Sequence, residues 1–290
     1  MLDHPQDWHA LLACPEHQCE LTRSEKGLEC PHCDAPYPVR GSVVHFLRGS
    51  EGPRKALVGA DGESMVAGYR KPNPIVTALR RVVSSEYQPG TEWRAAKATV
   101  SEGKAPFLTS HYPGGLHLDI DDFPGVDVVG TAERLPFLEQ SVEGVLSEVV
   151  LEHVERPDRV IGEAFRVLKP GGRFFFIAPF VFPFHGHPSD FRRWSKQGIE
   201  AEFSAFDELE TGLFGGPCSS MVNLLSEWAY VLTGLEFPRG YVAVKGLATL
   251  LLFPIKFLDK IVNRFPEAHR LAATLYVTGT KPADGNGYST

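Results

Sequence analysis

Cysteine and histidine stand at metal-ligand spacing near the N-terminus, as Cys14-Pro-Glu-His17 and, after residues 18 to 29, Cys30-Pro-His-Cys33. Two knuckles whose paired residues are two apart turn their side chains toward one point, the arrangement that tetrahedral Zn²⁺ with thiolate and imidazole ligands requires. This spacing favours His17 as partner of Cys14, with Cys19 as the alternative. A site whose four positions are all filled by protein would be structural. The competing reading is a set of reduced, unliganded thiols, but a β module of this size has too small a core to hold without a staple. His32 and His45 read as surface or core histidines, and Cys218 as a small buried side chain. A second chemistry is suggested at Asp119, which ends the strand-like run Leu116 to Asp119. An acid at the carboxyl end of a strand in an open parallel sheet can accept both ribose hydroxyls of an adenosine cofactor. The alternative is that Asp119, with Asp121 and Asp122, caps the following turn.

The elements that would position these residues follow from apolar periodicity. Residues 1–50 read as a compact β module ending in YPVRGSVVHFL, two strands around a turn at Gly41. Residues 51–92 read as a linker, rich in Gly, Lys, Arg and Glu, followed by an amphipathic helix with Ile75, Leu79, Val82 and Val83 at helical spacing. Residues 93–212 alternate strand-like and helical segments, the pattern of βαβ units and a parallel sheet. Strands are expected at LHLDI, at 126–130, at 142–148 and at GRFFFIAP, where Phe174 to Ile177 are apolar on both faces. Between the last two lies a helix, Arg156 to Leu168, with Val160, Ile161, Ala164, Phe165 and Leu168 on one side and Pro170-Gly171-Gly172 as its stop. A further strand is expected at 206–212. Residues 213–271 are mostly helical, residues 272–282 hold a last strand, and 283–290 form a mobile tail.

Composition narrows the function classes. The 290 residues include 43% hydrophobic and 22% charged, ordinary for a folded globular protein. Lys plus Arg number 29 against 36 for Asp plus Glu, a formal charge of -7, so nucleic acid is not an expected partner. The N-terminus lacks a positively charged start and an apolar core segment, and a cytoplasmic location is expected. The longest apolar run, Gly246 to Ile255, is about half the ~20 residues that cross a bilayer.

The stretch from Leu118 to Phe180 resembles the core of the class I S-adenosylmethionine-dependent methyltransferases. It carries Leu135-Pro136-Phe137, Leu151-Glu152-His153-Val154 and Arg166 through Gly172, signatures of one large branch. The N-terminal Cys/His module is similar to the small zinc ribbon that serves such enzymes as an activating partner, here fused in front. The resemblance implies a Rossmann-like sheet with an N-terminal β-rich zinc ribbon and a helical insertion before the last strand. It implies S-adenosylmethionine as cofactor, with Asp119 on the ribose, Thr131, Ala132 and Glu133 after the third strand on the adenine side, and Glu148 after the fourth in the cleft wall. Thr131 stands where the family commonly has Asp. Glu152 and His153 have a structural role in such proteins. The family's glycine-rich loop after the first strand has its nearest counterpart at Glu102 and Gly103, and Lys104 is a candidate partner for the cofactor's carboxylate.

The run from Pro183 to Trp194 follows the fifth strand, where the acceptor would lie. Members of the branch carry a similar H-x-x-P-x-D-[YF]-x-R pattern, which implies His185, Asp190 and Arg193 as catalytic candidates, with His187 extra. Methyl transfer asks the protein to align acceptor and methyl group and, for a hydroxyl, to remove a proton, which His can do near neutral pH. The alternative is a loop-bracing role for His185, Asp190 and Arg193. The apolar insertion 213–271 is expected to form a lid. Lys256, Lys260 and Arg264 beside its apolar residues also suit peripheral membrane contact through 245–264 and a small-molecule, lipid-linked or glycan-linked acceptor. A catalytically silent scaffold is the second reading, because the glycine loop is degenerate. A nicotinamide-dependent oxidoreductase is opposed by the absence of G-x-G-x-x-G after a first strand.

Overall fold

The structure is a computed structural model and describes residues 8–47, 107–109, 115–122, 125–186, 189–234 and 238–283. The expected linker, amphipathic helix and tail lie outside these residues, as do Glu102, Gly103, Lys104 and His187. The N-terminal module holds β1 (Thr22–Ser24), β2 (Gly27–Glu29), β3 (Val39–Arg40) and β4 (Val43–His45). The core strands are β5 (Phe107–Thr109), β6 (Leu116–Asp119), β7 (Val128–Val129), β8 (Val142–Glu148), β9 (Leu168–Pro179), β10 (Asp207–Gly215) and β11 (Thr274–Thr280). Helices are α1 (Pro157–Val167), α2 (Lys196–Glu202), α3 (Pro217–Thr233), α4 (Pro238–Leu252) and α5 (Asp259–Val262).

Nine strands form one sheet in the order β10-β11-β9-β8-β5-β6-β7-β4-β3. Strands β5 to β9 are parallel neighbours, and β11 enters antiparallel between β9 and β10. Chain order runs one way from β5 through β6 to β7 and the other way through β8 to β9. The order therefore reverses between β5 and β8, the place where open α/β sheets of this Rossmann-like kind bind ligands. Helix α1 buries Val160, Ile161, Ala164 and Phe165 as its spacing requires, with Pro157 at its start. Pro170-Gly171-Gly172 is more than a stop. Between the β8 partners Val142 and Gly144 the chain of β9 advances from Leu168 to Arg173, so the three residues form a bulge inside the strand. Gly171 there has φ +74°, and a Cβ on Gly172 would lie 2.8 Å from the Lys169 carbonyl oxygen.

The N-terminal module is not a separate bead. Strand β4 pairs in parallel with β7, Val44 opposite Val128, and continues the core sheet outward. Amide-to-carbonyl bonds from Val44 to Asp127 (3.0 Å), Phe46 to Val129 (2.8 Å), Ala13 to Pro136 (3.1 Å) and Leu138 to Leu11 (2.8 Å) stitch the two parts together. Leu12, Tyr37, Val44 and Phe46 share one apolar core with Leu135 and Phe137.

The two sequence signatures of the core are joined side chain to main chain. Glu163 on α1 accepts the Leu135 amide at 2.7 Å. The Arg166 guanidinium grips Glu163 (2.7 and 2.8 Å) and donates to the carbonyls of Phe137 (2.8 Å) and Leu135 (3.0 Å). The Leu-Pro-Phe turn and the Arg-Val-Leu helix end are thus tied by hydrogen bonds: Glu163 and Arg166 satisfy the Leu135 amide and the Leu135 and Phe137 carbonyls of the turn.

Among the described residues of 213–271, the expected lid, none lines the cleft at the sheet's carboxyl edge. Helices α3 and α4 pack against each other beyond the β10 edge, and Asp259, fully buried, accepts from the Cys218 amide (2.8 Å), the Ser219 amide (2.9 Å) and the Ser219 hydroxyl (2.7 Å) at the start of α3. Trp228, Val231, Leu232 and Leu251 face solvent. Of the cations expected to flank a membrane face, Lys256 is buried and its ammonium pKa lowered by that burial. No described helix is long and apolar enough to cross a membrane.

Candidate functional site

A cleft of about 290 Å³ opens at the carboxyl ends of β5 to β8, where the strand order reverses. Its floor is apolar, with Leu108, Leu118, Leu135 and Phe176, and its polar groups sit at strand ends: Thr109, Asp119, Thr131 and Glu148. Asp119 lines the cleft, and one of its carboxylate oxygens accepts the Asp121 amide at 3.1 Å. Asp121 next to it is 9% exposed. Burial, helped by the charge of Asp119, raises its carboxyl pKa. Ala132 lines the cleft as well, and the Thr131 hydroxyl accepts the Glu133 amide at 3.2 Å. Glu133 itself does not line the cleft. Its carboxylate accepts the Arg156 amide at 3.1 Å and ties the loop to the start of α1.

Glu102 and Gly103, the expected counterpart of the family's glycine loop, lie outside the described residues. The strand in the central first position is β5, so Glu102 and Gly103 precede that strand instead of following it. The segment after it is Ser110 to Gly115, six residues before β6. The apolar run Phe107-Leu108, separated from LHLD by seven residues, is the sequence signal for β5.

At the mouth of the cleft the expected catalytic run divides into brace and face. Asp190 is 1% exposed and forms a two-pronged pair with Arg193, and the guanidinium beside it holds its carboxyl well below the usual range. Arg193 also donates to the carbonyls of Phe182 (3.1 Å) and Pro183 (2.9 Å), so both residues brace the loop. The Asp190 carboxylate accepts the His185 amide at 2.8 Å. The His185 ring stands edge-on to His153, centroids 5.1 Å apart, and its Nε2 lies 3.2 Å from the carboxylate of fully buried Glu152. His153 lines the cleft. The family resemblance implies a structural role for Glu152 and His153, and no local pattern joins them to His185, 32 residues beyond His153. Nor does any local pattern mark Val149, a β-branched cleft residue at φ +58°, a region that such side chains rarely adopt. That turn directs Val150 to His153 along the cleft wall.

Far from the cleft, the four expected metal ligands converge. His17 Nδ1 lies 3.4 Å from Cys14 Sγ and 3.5 Å from both Cys30 and Cys33 Sγ, and Cys14 and Cys33 sulfurs are 3.7 Å apart. Ligand bonds of about 2.3 Å (sulfur) and 2.0–2.1 Å (nitrogen) on a tetrahedron give edges of roughly 3.5–3.8 Å. Cys19 touches the group only through Cys30, at 3.5 Å, and stands outside the four. Burial alone would push the Cys14 thiol up, but hydrogen bonds from the Tyr37 hydroxyl and the His17 amide prevail and bring it down to about 6. Burial raises Cys30 and Cys33.

Residues 108–176 match a family model described as a methyltransferase domain. The malonyl-[acyl-carrier protein] O-methyltransferase of Methylococcus capsulatus is 44% identical over 77 residues, 27% of this chain and 26% of that protein. A ubiquinone/menaquinone biosynthesis C-methyltransferase of Bartonella bacilliformis is 46% identical over 52 residues, 18% of this chain and 20% of that protein. The chain thus spans about a quarter or less of the length of these curated relatives. Among solved structures, the Haemonchus contortus phosphoethanolamine N-methyltransferase 2 in complex with S-adenosyl-L-methionine is 14% identical with a TM-score of 0.42, covering 71% of this chain and 56% of that one. Strands β5 to β9 with helix α1 form a Rossmann-like core, and the match to the methyltransferase domain model falls within it, at residues 108–176.

Proposed function

We propose that the chain is an S-adenosylmethionine-dependent methyltransferase. The observation that carries this is the cleft at the reversal of strand order, with Asp119 at the end of β6 and an apolar floor, inside the segment that matches the methyltransferase domain. Asp119 accepts the ribose hydroxyls, Thr131 and Ala132 flank the adenine, and Glu148 closes the wall on the side of the methionine part. The acceptor lies over the mouth, where His153 and His185 are the polar groups within reach, backed by the buried Glu152, and Asp190 with Arg193 fixes His185. These groups suit an acceptor oxygen that has to be oriented and relieved of a proton. The solvent-facing apolar side chains of α3 and α4 favour a lipid-linked acceptor over a free sugar.

Isothermal titration with S-adenosylmethionine tests the reading. Binding by the parent and at least about tenfold weaker binding by Asp119→Ala are expected, since a carboxylate accepting hydroxyls contributes ~1.5–3 kcal/mol. Heat-free titrations of the parent at millimolar cofactor would leave the silent scaffold as the reading.

The N-terminal module is proposed as a zinc ribbon with Cys14, His17, Cys30 and Cys33 as ligands. Its role is structural, because it fixes β3 and β4 as outer strands of the core sheet. Replacement of its metal by Co²⁺ should give thiolate charge-transfer absorption that Cys33→Ser weakens. Unchanged spectra in that variant would refute the ligand set.

A further inference from the structure

Three side chains at the mouth of the cleft present a lone-pair problem. The buried Glu152 carboxylate has His185 Nε2 at 3.2 Å and His153 Nε2 at 3.8 Å from the same oxygen, while its other oxygen is buried without any hydrogen-bond partner. The remaining nitrogens of both rings are committed as donors. His153 Nδ1 lies 2.5 Å from the Ser189 carbonyl, which can only accept. His185 Nδ1 faces the Pro183 carbonyl at 3.2 Å and the Asp190 carboxylate at 3.4 Å. Arg193 approaches that Nδ1 at 3.4 Å, but the same Nη2 already donates to Pro183 (2.9 Å) and Asp190 (2.7 Å), so it supplies no third bond. With Nδ1–H on each ring, both Nε2 lone pairs face the Glu152 carboxylate, and no described side chain places a positive charge between them.

We propose that Glu152, His153 and His185 bind a divalent first-row transition-metal ion at the mouth of the cleft. The three ligand atoms lie within 4.8 Å of one another, and the Glu–His separations approach the ~3 Å between neighbouring ligands at bonds of about 2.0–2.2 Å. Two imidazoles and one carboxylate are a donor set suited to such ions and leave coordination positions open. The outer contacts have the form found around bound metals, where a ligating His donates its second N–H to a carbonyl or carboxylate. Ser189, Pro183 and Asp190 fill that role. The imidazoles are reachable, His153 at 18% and His185 at 25% side-chain exposure. The site rests on the methyltransferase reading for its purpose: the open positions would bind an acceptor oxygen and lower its proton affinity, so the ion and not a free imidazole faces the acceptor.

The test is a Co²⁺ titration of the full chain in its zinc-loaded form, followed by calorimetry and visible absorption. About one equivalent should bind with ligand-field bands and no new thiolate charge transfer, and Glu152→Gln and His185→Ala should each weaken it at least about tenfold. Because Glu152 is fully buried, near-ultraviolet circular dichroism checks that Glu152→Gln folds, and the partly exposed His185→Ala gives the same readout with less strain on the core. No binding by the parent, or equal binding by folded variants, would overturn the site and leave a proton as the occupant. A parallel S-adenosylmethionine titration separates the two ideas. Co²⁺ binding that depends on these residues without cofactor binding keeps the metal site and removes the transferase reading. Cofactor binding without Co²⁺ binding does the reverse.

Discussion

Replacing Arg166 by Met removes the cation that joins α1 to the Leu135–Phe137 turn while keeping most of the side chain's volume. Both members of the pair are largely buried, Arg166 at 15% and Glu163 at 14% side-chain exposure, so solvent screens them little. The substitution leaves the Glu163 carboxylate with the Leu135 amide as its one remaining hydrogen bond. It also leaves the Leu135 and Phe137 carbonyls without their donors. Breaking one side of a buried pair costs ~3–5 kcal/mol. At about 2–4 °C per kcal/mol for a domain of this size, the melting temperature should fall by roughly 10 °C. Thermal and urea unfolding of the parent, Arg166→Met, Glu163→Met and the double variant would measure this. The double variant should recover part of the loss, because no charge is then buried alone, but not all of it, because the Leu135 amide still lacks an acceptor. Leu135 lines the cleft, so cofactor affinity should fall with the single change as well. An Arg166→Met protein within 1 kcal/mol of the parent would refute the reasoning, as would a double variant less stable than both single ones.

Asp259→Ala should destabilise by ~2–4 kcal/mol in urea unfolding, since three donors at the start of α3 lose a fully buried acceptor. The same change should make Cys218, whose thiol burial and the Asp259 charge push up to about 11, react faster with thiol reagents at pH 8. Asp121→Asn should raise the melting temperature at neutral pH. The Asp121 carboxyl pKa is raised by burial and by Asp119, so whatever it contributes is present below its unfolded value and lost as pH rises through its folded one. The gain should vanish near pH 3, and a gain that persists there would contradict the assignment.

The core of the fold was legible because its signals are local. β8 was expected at residues 142–148 and is found there, the helix expected at 156–168 runs from Pro157 to Val167, and the last strand expected within 272–282 is Thr274–Thr280. Each depends on side chains a few residues apart meeting one buried surface, so periodicity alone locates it. The Cys/His spacing likewise brought together His17 and the three sulfurs, because a knuckle of two intervening residues fixes its own geometry.

What the sequence by itself determined was therefore the identity of the elements and the position of Asp119 at a strand end. Tertiary structure decided the rest, since it depends on which strands become neighbours. Sheet order put β5 in the centre, between β6 and β8. The pairing of β4 with β7 made the N-terminal module an extension of the core. The return of the loop after β9 over the end of β8 set His185 against Glu152, a contact between residues 33 apart with no repeating pattern to announce it. Periodicity reports the face a side chain turns to the core; it carries no record of what the far side of a closed loop will bring to meet it.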